Sequence, residues 1–188
     1  MFKHNKIMGV LRAFQNRNKD NGHLPDTQDA QTGQDATAPL VRLKVMADWI
    51  DYNGHMTESR YLFAASETSD ALLRLVGADL DYVAGGHSYY SAETHIIHLG
   101  EAKLGDDLSG SAQVLGADEK RLHLFITIAK DGAPMATLEQ MLLHVDMAAG
   151  KACPAPADIL ARVMQIRDAH AQLARPDSAG RYIGKARR

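Results

Sequence analysis

Apolar and polar residues alternate over residues 41–45, Val-Arg-Leu-Lys-Val, and the alternation predicts a half-buried strand. A polar turn follows, Asp51-Tyr52-Asn53-Gly54-His55. The period then lengthens. Residues 57–76 read as a helix with Tyr61, Leu62, Ala65, Leu72, Leu75 and Val76 on its buried side. Thr57 suits the N-cap and Gly77 the stop. Twenty such residues make about 30 Å of helix, enough to cross a small domain. After Gly85-Gly86 the period becomes two, with strands expected over 88–98, 108–115, 121–130 and 135–146. Leu122, Leu124, Ile126 and Ile128 alternate most cleanly, Asp131-Gly132 signals a hairpin, and 116–120 a longer turn. An amphipathic helix over 159–173 follows Pro154 and Pro156, and a basic tail runs from Pro176. One strand, one long helix and a four-stranded meander predict an α+β fold with the helix packed on one face of an antiparallel sheet.

The chain divides into an extension (1–39), a folded domain (40–150) and a helix with a basic tail (151–188). Ile7, Val10, Leu11 and Phe14 form one stripe of a short helix among Lys3, Lys6, Arg12, Arg17 and Lys19. That stripe reads either as a membrane-surface or targeting helix or as a poorly ordered addition, and we adopt the second reading. Residues 21–39 have linker composition. The whole chain has 188 residues, 45% hydrophobic and 23% charged, with a formal net charge of −2. Such a balance builds no global nucleic-acid field. No apolar run approaches the length of a membrane span. A single cysteine, Cys153, excludes an internal disulfide and a multi-cysteine zinc site, and fits a reducing cytoplasm.

The stretch richest in chemistry runs from Asp48 to Tyr61. It sets a carboxylate, a carboxamide, a glycine and an imidazole at the mouth of the long helix, where unpaired N–H groups and the positive end of the macrodipole meet. Gly54 permits close approach of a ligand to the backbone. Such a mouth can polarise a carbonyl and hold an oxyanion, while Asp51 activates water or attacks directly. The same residues also fit a purely structural Asx turn, with His55 filling a pocket.

The strand, the D-x-N-G-H turn, the long helix with an early tyrosine and the meander together resemble the hotdog fold. The motif is similar to that of the 4-hydroxybenzoyl-CoA thioesterase-like family. Residues 48–61, 88–95, 120–125 and 139–146, with support from 179–184, are most similar to the betainyl-CoA thioesterases of bacterial carnitine breakdown, which also occur fused to carnitine dehydrogenase. The resemblance covers residues 40–146.

It implies a sheet wrapped round the central helix, homodimers or dimers of dimers with continuous sheets, and active sites at the subunit interface. It implies hydrolysis of a small acyl-CoA without metal or redox cofactor, CoA arriving as part of the substrate. Asp51 matches the family's acidic position as general base or nucleophile, and Asn53 the polar position that orients water or the carbonyl. Gly54, His55 and Met56 would supply the oxyanion amides. Many relatives carry Asn where Thr57 and Glu58 stand here, so no role is borrowed for those two.

A trimethylammonium acyl group would call for aromatic faces and a carboxylate. Trp49, Tyr52, Tyr61, Tyr89 and Tyr90 are the candidate aromatics, with Tyr89 and Tyr90 expected on opposite faces of their strand. Glu67, on the helix, and Glu93, on the strand with His95, are the candidate acids, each equally readable as a surface or interface charge. His95 and His98 face opposite sides and form no metal pair. Lys103, Lys120, Arg121 or the basic tail are candidates for the CoA phosphates. Two other readings are a hotdog hydratase using His55 and a noncatalytic acyl-CoA-binding module.

Overall fold

The computed structural model describes residues 35–184; the stripe of apolar residues at 7–14 lies outside them. The chain lays down β1 (Val41–Lys44), a 3-10 turn (Ala47–Trp49), α1 (Glu58–Leu75), a short α2 (Leu80–Ala84), β2 (His87–His98), β3 (Asp107–Ala117), β4 (Arg121–Lys130), β5 (Ala133–Asp146), β6 (Lys151–Ala152) and α3 (Ala157–His170). One antiparallel sheet runs β1-β3-β4-β5-β2, with β6 a two-residue appendage on β5. This is the expected α+β arrangement, a sheet curled around one long helix.

Leu122, Leu124, Ile126 and Ile128 of β4 are buried, as are Leu108, Ala112 and Val114 of β3 and Ala136, Leu138 and Leu142 of β5. They meet Tyr61, Ala64, Ala65, Thr68 and Leu72 of α1. Burying a side chain of leucine size contributes about 1.5–3 kcal/mol, so each of these positions is a substantial stabilising contact. Helix and sheet approach closely at Gly110, where a Cβ would stand 2.0 Å from Thr68 Oγ1. Thr68 satisfies its own hydroxyl on the Ala64 carbonyl, 2.8 Å away.

The helix starts and stops where the sequence signals it. Thr57 is the extended N-cap, and Gly77 follows the helix with φ of +85°. Asp131 and Gly132 both take positive φ, the geometry of a tight two-residue hairpin between β4 and β5. Two expected core positions are corrected: Leu62 is 43% exposed and Leu75 36%, because the buried stripe runs through Ala64, Thr68 and Leu73 instead. The second helix ends at His170 rather than residue 173. The helix α2, the turn at 47–49 and β6 were not expected.

Beyond the end of β1, the Val114 N–H on the edge of β3 donates to His170 Nδ1 at 2.9 Å. Thus α3 closes the flank that β1 leaves open. Among the described residues no helix is long and apolar enough to cross a membrane.

Candidate active site

The turn before α1 is built around one carboxylate. Asp51 Oδ1 accepts the Asn53 N–H at 2.8 Å and the His55 N–H at 3.3 Å. The Asp51 N–H donates to the His55 carbonyl at 2.9 Å, and the Gly54 N–H to the Asp51 carbonyl at 3.1 Å. A β-bridge between Ile50 and Met56 closes the base, and Gly54 turns the chain with φ of +81°. The Asx turn is therefore real, and it occupies only one carboxylate oxygen. Among the described residues, Asp51 Oδ2 makes no hydrogen bond.

The three amides expected to hold an oxyanion are already committed. Those of Gly54 and His55 serve the turn, and the Met56 N–H donates to the Ala102 carbonyl at 2.7 Å. The Thr57 N–H goes to the Trp49 carbonyl at 2.9 Å. Thr57 makes no side-chain cap bond, so the N–H groups of Glu58 and Ser59 face the mouth without that competitor. The uncommitted amides thus lie one step further along the chain, in the first helical turn.

The His55 imidazole lies 3.2 Å from Glu101 Oε2, in the 99–106 loop, rather than on Asp51. Asn53 and Gly54 are exposed, and Tyr52 is 96% exposed beside them. Lys103, exposed, follows the Ala102 carbonyl that ties this loop to Met56. Lys120 and Arg121 sit past the far end of β3, roughly 33 Å along that strand, and Arg121 pairs with Asp118 at 2.6 Å. Of these three cations, Lys103 is the one beside the mouth.

The other aromatic candidates do not line the mouth. Trp49 is buried edge-on against Phe63 at 5.4 Å, with the Arg60 guanidinium 5.5 Å above its ring. Tyr61 is buried; its hydroxyl accepts the Ala102 N–H at 3.0 Å and donates to the Gly100 carbonyl at 3.3 Å. Burial raises its pKa. Both residues frame the turn from inside. Tyr89 and Tyr90 do face opposite ways, Tyr89 buried and Tyr90 half exposed. They sit near the start of β2, about 30 Å along that strand from His98, whose ring packs on Tyr61 at 5.1 Å.

Tyr89 belongs to a separate buried cluster. Its ring meets His144 at 5.1 Å, His87 stacks on His144 at 5.7 Å, and Tyr82 hydrogen-bonds His144 Nε2. His144 Nδ1 donates to the Cys153 carbonyl, 2.9 Å away. Burial pushes both tyrosines up to about 12 and holds His144 below its usual value. This cluster pins α2 and β6 to the sheet, a task the sequence did not reveal.

Glu67 is half-buried on α1, about 13 Å along the helix from Glu58. Glu93 is exposed on β2 and shares an outer cleft with His95, as expected from their spacing. Neither acid stands at the Asp51 mouth of its own chain. Among the described residues no three His, Cys, Asp or Glu side chains are gathered so as to hold a metal ion.

A profile described as the thioesterase-like superfamily matches residues 45–163, which include the turn, α1 and the whole sheet from β2 to β6. The chain belongs to the thioesterase-like superfamily. Relatives within it are similar over much of the chain. An L-carnitine dehydrogenase/betainyl-CoA thioesterase of Rhizobium meliloti is 50% identical over 95% of this chain, which spans only 36% of that relative's length. A betainyl-CoA thioesterase of Pseudomonas aeruginosa is 38% identical over 74% of this chain and 90% of its own length. Among solved structures, a putative thioesterase of Pseudomonas putida superposes with a TM-score of 0.66 at 34% identity, covering 79% of this chain and 97% of its own. A Staphylococcus aureus protein solved in complex with CoA gives 0.73 at 23% identity, over 78% of this chain and 94% of its own, a likeness of fold.

Proposed function

We propose that the chain hydrolyses betainyl-CoA to glycine betaine and CoA, in the cytoplasm, as a homodimer and without a resident cofactor. The observation that supports the chemistry is Asp51: one carboxylate oxygen builds the turn, and the other makes no hydrogen bond among the described residues. The acyl group is taken from the likeness to betainyl-CoA thioesterases, one of which this chain covers almost end to end.

In the reaction, the thioester carbonyl oxygen lies against the Glu58 and Ser59 N–H groups. Asp51 Oδ2 takes a proton from water as the water oxygen bonds to the carbonyl carbon, or bonds to that carbon itself. The oxyanion that forms is held by the two amides and the helix dipole. Its collapse breaks the C–S bond, and the CoA thiolate leaves and takes up a proton. In the attack by Asp51, water then cleaves the resulting anhydride. Asn53 stays beside the acid to orient water, Glu101 holds His55 at the rim, and Lys103 meets a CoA phosphate.

Quaternary ammonium recognition needs more aromatic surface than Tyr52 alone provides at the mouth. The geometry of β2 supports a dimer as the source. Its outer edge pairs with no other described strand. Antiparallel pairing of two such edges carries the Tyr90 end of one β2 toward the His98 end of the other, and so toward the other copy's mouth. Glu67 stands about 13 Å along α1 from Glu58, more than the length of a betainyl group, and so has no part in this reaction within its own chain.

A panel of betainyl-, acetyl-, long straight-chain and aromatic acyl-CoAs, followed with a thiol reagent, tests the assignment. Preference in kcat/KM for betainyl-CoA supports it. Preference for the aromatic acyl moves the chain to another member of the superfamily; an enoyl-CoA added to the panel that loses its absorbance without free thiol would make it a hydratase.

A further inference from the structure

Glu139 lies where the sheet and the segment C-terminal to α3 meet. It is directly opposed by Phe125 on β4 and by His95 on β2, and shares the outer face of the sheet with both. Its carboxylate is mostly buried and both oxygens are engaged: Oε1 holds His123 Nε2 at 2.7 Å, and Oε2 accepts the Gly180 N–H at 2.6 Å. The chain reaches it through two turns, the Ala179 N–H donating to the Pro176 carbonyl at 2.9 Å and the Arg181 N–H to the Ser178 carbonyl at 3.2 Å. A backbone amide on an ionised carboxylate is among the stronger hydrogen bonds, so this anchor fixes the next residues, Arg181 and Tyr182, over the sheet. Beneath them runs a row of directly opposed residues, Glu93 on β2, Met141 on β5 and His123 on β4. The cleft so enclosed holds about 350 Å³. That is at the lower end of small-ligand sites.

Glu139 is thus spent on building the cleft, and other charged groups there are not. The side chains of Glu93, His95 and Arg181 make no hydrogen bond or ion pair among the described residues. We infer that the cleft binds a small zwitterion with a quaternary ammonium group at one end and a carboxylate at the other. Such an ammonium group offers no N–H, so it favours a carboxylate and an aromatic face; Glu93 and the ring of Tyr182, 65% exposed at the rim, supply them. The Arg181 guanidinium takes the carboxylate of the ligand, with His95 beside it. Met141 gives the N-methyl groups an apolar, polarisable floor. A cleft with one unpaired acid and one unpaired base selects against a plain cation or a plain anion, because either would leave the opposite charge without a partner. The choice of zwitterion rests on the function proposed above: glycine betaine is the acid that hydrolysis of betainyl-CoA releases. The site is distinct from the Asp51 mouth, since α1 packs on the other face of the sheet.

The test is a magnetic-resonance titration of the full chain with carbon-13 in its methionine methyl groups. Met141 reports on the cleft and Met56, in the turn before α1, on the mouth. Met141→Leu and Met56→Leu assign the two signals. With glycine betaine the Met141 signal should shift saturably, half-saturating at about 1–10 mM, the scale of two exposed charged contacts and one ring face. Choline and acetate, each carrying one of the two charges, should bind roughly tenfold or more weakly. Glu93→Gln and Arg181→Gln should each raise the half-saturating concentration roughly tenfold at unchanged far-ultraviolet circular dichroism. A Met141 signal that stays fixed well above that range, or a response that neither variant weakens, would overturn the site. A shift confined to Met56 would support the hydrolysis reading and overturn the cleft. The expected Met141 response in a chain that releases no CoA from betainyl-CoA would uphold the cleft and remove the hydrolysis.

Discussion

Asp51 Oδ1 lies 2.8 Å from the Asn53 N–H, and this bond separates the two duties of one side chain. The oxygen that shapes the turn is an acceptor in either a carboxylate or a carboxamide. The negative charge that the proposed hydrolysis uses is supplied only by the carboxylate. Structure and chemistry at this position can therefore be removed independently.

Asp51→Ala deletes the acceptor for both the Asn53 and His55 amides. It should lower stability by about 1–2 kcal/mol, or roughly 2–8 °C in Tm, whereas Asp51→Asn should stay near the parent. Differential scanning calorimetry of the two variants checks this. Equal losses would mean that the turn does not depend on the acceptor.

Trp49→Ala should cost about 3–5 kcal/mol, since its ring is packed in the core. Substrate preference in the folded remainder should not change. A selective loss of betainyl-CoA turnover at unchanged stability would return Trp49 to the acyl pocket.

Gly110→Ala places a methyl group 2.0 Å from Thr68 Oγ1 and 2.8 Å from Val41 Cγ2. Destabilisation of about 1–3 kcal/mol is expected. Thr68→Ala removes the nearer obstacle, so the double variant should lose less than the sum of the singles. Urea unfolding of the four proteins measures the coupling, and strict additivity would show that sheet and helix do not meet there.

His144 titrates below its usual pKa because burial disfavours its charged form, with His87 adding repulsion. The unfolded chain then binds the proton more readily than the folded one. Its contribution to stability is present above the unfolded value near 6.5 and is lost as pH falls below it. The parent Tm should drop between pH 7 and pH 5, and His144→Gln should flatten that drop. Tyr82 and Tyr89, raised to about 12, act at the other end: stability falls as pH rises above about 10, where the unfolded phenols ionise first.

Local signals were legible. Thr57 and Gly77 bracket α1, Asp131-Gly132 makes the hairpin, and period-two alternation marks the meander. The Asp79 cap of α2 had a signal too, its carboxylate accepting the Asp81 and Tyr82 N–H groups at 3.0 Å. At five residues, that helix gives too little periodicity to be seen. What sequence could not show is which amides are spent. The Met56 N–H is taken by Ala102, a residue brought alongside only by the completed sheet, and the Thr57 N–H by Trp49. Motif residues 54–56 therefore frame the site, while the open donors fall at Glu58 and Ser59. Likewise Trp49 and Tyr61 looked like pocket walls because aromatic residues near an active turn read alike whether they face inward or outward.

Thiol release by purified Asp51→Asn measures the central claim most directly. With a parent-like Tm as proof that the turn is intact, release of CoA from betainyl-CoA should fall roughly 100- to 10,000-fold. Release at the parent rate from that folded variant would contradict the account.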